Sequence, residues 1–247
     1  MSLVYQEQKR VACYESDSTE KMLPTTAMNY FQEASTNQGN ELGLGGDYLK
    51  ANNLAWFLVK YAIRFNDYPR YQDEVTVTTR ATGMEKFCAT RRFTIEDAAG
   101  ATKVVADTQW LLINRESEKM ARIDEHPEMD AYQCFEKGEP IFKKIVKINR
   151  VDINRVDLEK RFSVRFLDID FNQHVNHVKY LAWAIEVLPL EVVKTRVLAE
   201  AKMVYKAQCF YGDQVRALGE QLAENHYRID IVNQDDTVLC QLELILE

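Results

Sequence analysis

The sequence predicts an α+β protein made of two similar halves in tandem, each a long helix wrapped by a strongly curved antiparallel sheet. Three observations predict it. The chain repeats itself: Tyr71-Gln72-Asp73-Glu74-Val75 follows the alternating segment 55–65, and 140 residues on Tyr211-Gly212-Asp213-Gln214-Val215 follows 199–210 in the same way. Upstream, 13–33 resembles 165–186 at an offset of 153, pairing Asp17 with Asp170, Lys21 with His174 and Glu33 with Glu186. Each half also shows one stretch of helical periodicity followed by four runs rich in β-branched and aromatic residues. One helix held in such a sheet is a hot-dog arrangement, and two make a tandem, or double, hot dog.

The first half opens with a helix over about 24–42. Pro24 sits near its first turn, and Gly43-Leu44-Gly45-Gly46 follows its end as a stop signal. That glycine run lacks the trailing Lys-Ser/Thr of a phosphate loop and the spacing of a dinucleotide fingerprint. Strands follow near 56–65, 74–82, 88–96 and 103–113, with Asp97-Ala98-Ala99-Gly100 connecting the last two as a hairpin. In the second half, Val178, Leu181, Ala182, Ile185 and Leu188 mark a helix over about 176–188. Its strands fall near 197–208, 214–223, 227–232 and 238–245. The predicted division is an N-terminal domain over 1–114, a linker over 115–158 and a C-terminal domain over 159–247.

At 247 residues and 46% hydrophobic content the chain can bury one large core or two ordinary ones. No apolar stretch is long enough to span a membrane and residues 1–20 lack the core of a signal peptide, so a soluble cytoplasmic protein without membrane insertion is expected. The five cysteines are odd in number and scattered, which suits a reducing compartment. A net charge of −7 argues against nucleic-acid binding. The exception is 143–165, where Lys143, Lys144, Lys147, Arg150, Arg155, Lys160, Arg161 and Arg165 face only Asp152, Asp157 and Glu159. Such a strip can dock an acidic partner, although a solvated linker face explains the same charges.

The chemistry concentrates in Asp168-Ile169-Asp170-Phe171-Asn172-Gln173-His174-Val175-Asn176-His177-Val178-Lys179-Tyr180, followed by Trp183. Alternation in Asp170, Asn172 and His174 places three groups able to move protons or orient water on one side of an extended segment. The helix start near 175–178 would offer N–H groups and a positive dipole end to a developing oxyanion. Capping by Asp170 and Asn172 is the plain structural reading. A calcium loop counted from Asp168 fails, with Gln173 where glycine is needed and Lys179 where glutamate is needed. Zinc at His174 and His177 lacks further ligands in a recognised spacing. No metal and no cofactor is expected.

The same run, Asp168 through Tyr180 with Trp183, resembles that of the acyl-acyl carrier protein thioesterases of plant plastids and bacteria, and the similarity extends over both halves. The resemblance implies a double hot dog that hydrolyses the thioester of fatty acyl-carrier protein during fatty acid biosynthesis, with Asp170, Asn172 and His174 at the catalytic positions. It places an acidic residue followed by cysteine on the downstream strand, where this chain has Gln208-Cys209, and makes Gln208 the fourth catalytic candidate. Cys209 competes as a nucleophile paired with His174. His177 stands where the plant motif has asparagine. The sequence carries no plastid transit segment, as expected of a bacterial protein or a mature form. His174 is the natural proton shuttle near neutral pH, Asn172 can hold water or the carbonyl, and Asp170 either orients the set or attacks directly.

Asn176 and Trp56 are further substrate-binding candidates, and from the basic strip Lys143, Lys144 and Lys147 are candidates to dock the acidic carrier. Trp56, Phe57, Tyr61, Tyr30, Phe31 and Met28 read individually as core, and collectively as the lining of an acyl tunnel in the half that lacks the triplet. A homodimer is an admissible assembly. Two other functions fit: a hot-dog hydrolase acting on acyl-coenzyme A, and a binder that keeps the acyl thioester without turning it over.

Overall fold

The structure, a computed structural model, describes residues 4–133 and 147–247. It divides into two compact units, residues 1–144 and 145–247. Unit 1 begins with strand β1 (Tyr5–Arg10) and helix α1 (Pro24–Glu41), then a short helix α2 (Gly46–Ala51). Strands β2 (Leu54–Phe65), β3 (Glu74–Met84), β4 (Cys88–Asp97) and β5 (Thr102–Asn114) follow. They pair antiparallel in the order β1-β3-β4-β5-β2. Unit 2 has β6 (Leu158–Ser163), α3 (Val178–Glu186), α4 (Leu190–Thr195), β7 (Leu198–Tyr205), β8 (Gln214–Ala223), β9 (His226–Asn233) and β10 (Val238–Leu246). Its antiparallel order is β7-β10-β9-β8-β6, the same plan strand for strand. Each unit is a hot dog.

In unit 1 the buried face of α1 holds Ala27, Met28, Phe31 and Ala34, and Phe31 stacks on Phe93 of β4 with centroids 4.9 Å apart. Alternation buries Phe93 and Ile95 on that face of β4. Burying each such side chain contributes on the order of 2–3 kcal/mol of transfer free energy. In unit 2 the shorter α3 buries Val178, Tyr180, Leu181, Trp183 and Ala184, and Trp183 stacks on Phe162 of β6 at 5.8 Å. No helix among the described residues is long and apolar enough to cross a membrane.

Several expectations change in detail. Gly43 ends α1 in the left-handed region (φ 72°), yet the chain re-enters a helix at Gly46, so the glycine run separates two helices. Strands β1 and β6 and the two short helices lacked a pattern long enough to read. Strand β7 stops at Tyr205, three residues short of Gln208. The described parts of the stretch expected as a linker pack on the units. Ile123 and Met129 join Leu54, Ala89 and Leu112 in the core of unit 1, with Trp56 packed against them. The other end is held to unit 2 by buried carboxylates. Val151 N–H donates to Asp230 Oδ2 (3.3 Å), and Arg155 meets Glu220 at 3.2 Å. Cys13, Cys88, Cys209 and Cys240 are all free.

Candidate active site

Residues 170–174 form a tight turn, not the extended segment that their alternation suggested. An antiparallel bridge joins Ile169 to Val175, and Asp170 N–H donates to the His174 carbonyl (2.9 Å). Gln173 closes the turn in the left-handed region at φ 67°. One Asp170 carboxylate oxygen, Oδ1, accepts the Asn172 N–H at 2.8 Å. Glycine-free alternation looks the same in a strand and in an Asx-stabilised turn, and the side-chain bond from Asp170 selects the turn.

The turn is anchored at both ends. Buried Asp168 accepts from Arg165 N–H (3.0 Å) and from the Arg165 guanidinium (2.9 and 3.1 Å), and Lys179 Nζ lies 3.4 Å away. Burial pushes the Asp168 carboxyl up, but Arg165 and then Lys179 hold it below the ordinary carboxylate range. On the far side Val175 N–H donates to the Cys209 carbonyl (3.0 Å), which brings residues 208–210 alongside the turn. The His174 ring meets Phe210 edge-on, with centroids 5.2 Å apart. Sequence reading did not assign this anchoring role to Arg165, Asp168 and Lys179. Its signal was Arg165 three residues ahead of Asp168.

Unit 1 repeats the backbone bonds of this scaffold; among the described residues the ion pairs to Asp168 have no counterpart there. Ser16 bridges Met22, Asp17 N–H donates to the Lys21 carbonyl (2.7 Å), and Glu20 has φ 66°. Asp17 Oδ1 accepts the Thr19 N–H (2.7 Å), Ala12 N–H donates to Glu15 (2.8 Å), and Met22 N–H donates to the Pro69 carbonyl (2.8 Å). Thus Asp17, Thr19 and Lys21 occupy the places of Asp170, Asn172 and His174, and Tyr68 that of Gln208. Lys21 Nζ sits 5.9 Å from the Tyr68 ring centre. Backbone geometry is duplicated; the imidazole and the amide are found only in unit 2.

Three N–H groups expected to form an oxyanion hole are taken. Val175 donates to Cys209, Asn176 to the Asp168 carbonyl (2.9 Å) and Val178 to the Asn176 side-chain oxygen (2.9 Å). Asn176 therefore caps α3, and the helix end is used to hold the turn in place. Gln208 is exposed and lies in the coil after β7. Cys209 is buried with its sulfur 3.3 Å from the Tyr180 hydroxyl, and burial pushes its thiol up to about 11. Such a thiol carries almost no thiolate at neutral pH, which removes the main reason to make it the nucleophile. Among the described residues no group of His, Cys, Asp and Glu could hold a metal ion. Lys147 is exposed, while Lys143 and Lys144 lie outside the described residues.

His177 stands beside the site, its ring edge-on to Tyr205 and its carbonyl accepting the Tyr205 hydroxyl (3.2 Å). Burial pushes its imidazole down to about 4, so it is neutral at physiological pH. In the unfolded chain it takes up a proton near 6.5 and in the folded chain only near 4. Stability is therefore present above pH 6.5 and is lost as pH falls toward 4, by on the order of 3 kcal/mol. Urea midpoints measured from pH 7 to 4 should fall less steeply for His177→Gln than for the parent; parallel slopes would rule this titration out.

The chain matches the family model of the acyl-ACP thioesterase N-terminal domain over residues 2–129 and that of the C-terminal domain over 152–247. It belongs to the acyl-ACP thioesterase family. A chloroplastic acyl-acyl-carrier-protein hydrolase of Cuphea viscosissima is 30% identical over 192 residues, covering 74% of this chain and 47% of that protein. The chloroplastic palmitoyl-acyl carrier protein thioesterase of Arabidopsis thaliana is 26% identical over 216 residues, 84% of this chain and 52% of that protein. The chain thus spans about half the length of these curated relatives. Among solved structures, a 12:0-ACP thioesterase from Umbellularia californica superposes with a TM-score of 0.91 at 20% identity, covering 100% of this chain and 98% of that one. An acyl-ACP thioesterase from Bacteroides thetaiotaomicron gives 0.88 at 22%, covering 100% of both chains. These two likenesses show that this family member has the double hot-dog fold.

Proposed function

We propose that this acyl-ACP thioesterase family member hydrolyses the thioester of fatty acyl-carrier protein, releasing free fatty acid and carrier in fatty acid biosynthesis. The observation that supports this best is the pair of turns with matching hydrogen bonds. The scaffold at 17–21 presents Asp, Thr and Lys, and that at 170–174 presents Asp, Asn and His. Keeping the backbone while restricting imidazole and amide to one copy is what a single hydrolytic site on a duplicated fold requires. His174 accepts a proton from water as that water attacks the thioester carbon, then returns it to the departing thiolate sulfur, so acid and thiol leave together. The Asn172 amide donates to the carbonyl oxygen as it becomes an oxyanion, a duty the committed N–H groups of Val175, Asn176 and Val178 do not perform. Asp170, tied to the Asn172 N–H, orients the amide and the water. Direct attack by Asp170 is the competing route, detectable as an acyl-aspartate adduct.

Gln208 is proposed to orient water through its amide; it has no group that takes up a proton. Gln208→Ala should lower single-turnover hydrolysis by roughly tenfold, while Gln208→Glu stays active; Cys209→Ser should stay active with no acyl-cysteine adduct in the parent. An inactive but folded Cys209→Ser with an adduct in the parent would replace this scheme with thiol catalysis. Trp56 and its aromatic neighbours in unit 1 are proposed to receive the acyl chain, and Lys147, with Lys143 and Lys144, to attract the acidic carrier. Thiol release measured side by side from acyl-carrier protein and acyl-coenzyme A across chain lengths tests the whole reading. Faster turnover of the carrier substrate is expected. Preference for the coenzyme A thioester would move the activity to that carrier, and tight binding without release would make the protein a binder.

A further inference from the structure

Residues 208–210 are held against the catalytic turn by the bond from Val175 N–H to the Cys209 carbonyl, and unit 1 holds its own turn in the same way, Met22 N–H to the Pro69 carbonyl. What supports that carbonyl differs between the units. At the offsets of 153 and 140 that align the halves, Ala27 and Pro69 occupy the places of Tyr180 and Cys209. Pro69 is buried, and its ring fixes φ and stiffens the backbone at the residue whose carbonyl accepts. Cys209 lacks such a ring. Its sulfur instead lies 3.3 Å from the Tyr180 hydroxyl, which reaches it from the first turn of α3.

That hydroxyl is aimed by its surroundings. Tyr180 is 3% exposed, and Tyr205 and Trp183 meet its ring edge-on with centroids at 5.6 and 5.5 Å. The Tyr205 hydroxyl in turn donates to the His177 carbonyl (3.2 Å), which pins the start of α3. A buried hydroxyl without a partner is costly, and Cys209 is the partner that the fold supplies. Burial pushes both the phenol and the thiol up, so at neutral pH the two form a neutral hydrogen bond. Position then gives the pair its consequence. Cys209 lies between Gln208 and Phe210, whose ring meets His174 at 5.2 Å, and the N–H that its carbonyl accepts belongs to the residue directly after His174. A shift of this carbonyl therefore moves the imidazole through Val175 and the amide through Gln208, and a misplacement of about 1 Å can cost on the order of a hundredfold in rate.

We propose that Tyr180 is a positioning residue for hydrolysis: its hydroxyl, bonded to the Cys209 sulfur, holds the Cys209 carbonyl on Val175 and so sets Gln208 and His174 relative to one another. The inference rests on the roles of His174 and Gln208 given above. It gives Cys209 a part in turnover as the partner of a buried hydroxyl, with no bond to the acyl group.

The test is a double-mutant cycle of Tyr180→Phe and Cys209→Ala, with Cys209→Ser as the conservative rescue, assayed on the acyl-carrier substrate that the parent turns over fastest. Phenylalanine keeps the buried ring and removes only the hydroxyl. Each single variant should lower kcat by roughly three- to tenfold, the span of one neutral hydrogen bond, with KM held within about twofold. The double variant should be no slower than the slower single, and Cys209→Ser, whose hydroxyl keeps the bond to Tyr180, should stay near the parent rate. Losses that multiply, a parent-like rate in Tyr180→Phe, or a Cys209→Ser enzyme as slow as Cys209→Ala would each overturn the proposal. Amide hydrogen exchange at Val175, read without any turnover, separates it from the reading it rests on. Exchange there should quicken by roughly tenfold in Tyr180→Phe, while the Met22 amide on the proline-backed turn of unit 1 keeps the parent rate. If the parent hydrolyses no thioester, the hydrolase reading fails, and faster exchange at Val175 still assigns Tyr180 to holding the turn. Unchanged exchange at Val175 overturns the proposal whatever the activity.

Discussion

His174→Ala lowers turnover of acyl-carrier substrate by about 10²–10⁴-fold, the range set by removing a positioned general acid-base group. The side chain is half-buried on a turn held by backbone bonds, so the thermal midpoint is expected to stay close to that of the parent. Lys21→Ala, at the same place on the duplicated scaffold of unit 1, leaves turnover within about twofold, because no reacting group is lost there. Steady-state kinetics on the two variants, with circular dichroism to verify folding, checks both expectations. A His174→Ala enzyme that keeps most of the parent rate would end the assignment of unit 2 as the hydrolytic unit.

Asp168→Ala is expected to damage stability and turnover together. The buried carboxylate holds Arg165 N–H, the Arg165 guanidinium and Lys179, and its neighbouring carbonyl holds Asn176. Charge-assisted hydrogen bonds of this kind contribute about 1.5–3 kcal/mol, and their loss frees the turn that presents Asp170, Asn172 and His174. Urea unfolding should show a loss of about 2–3 kcal/mol, with kcat down by tenfold or more. Glu15→Ala, at the same place in unit 1, removes the bonds to Ala12 N–H and the Tyr30 hydroxyl (2.6 Å). It should lower stability while kcat is retained. That contrast separates a general folding defect from loss of site geometry; an equal fall in kcat for Glu15→Ala would remove the separation.

Much of the architecture was legible in the sequence because burial imposes a period. Helix α1 was expected over 24–42 and runs Pro24–Glu41, and the four long strands of each unit lie where alternation put them, within a few residues. The duplication was legible because the same turn demands the same residues. Asp73 and Asp213 each cap the turn before them, accepting the N–H of Arg70 (2.8 Å) and of Phe210 (2.9 Å). The family also followed from sequence alone, since the run from Asp168 to Tyr180 is long enough to identify without any geometry.

Tertiary structure decided what those residues touch. Asp170, Asn172 and His174 alternate in sequence yet share a turn, because a side-chain bond to the Asn172 N–H and the left-handed Gln173 outweigh the weak preference of a short polar stretch for a strand. Whether Asp168 is a reacting carboxylate or an anchor depends on Arg165 and Lys179 converging on one buried oxygen, which no period encodes. Cys209 is a candidate partner for His174 by its identity alone, and the structure buries it against Tyr180, reached across 29 residues of chain, with its thiol pushed up. Local periodicity reports which face of an element is buried. It is silent on pairings between distant segments, because those energies arise only after the chain has closed on itself.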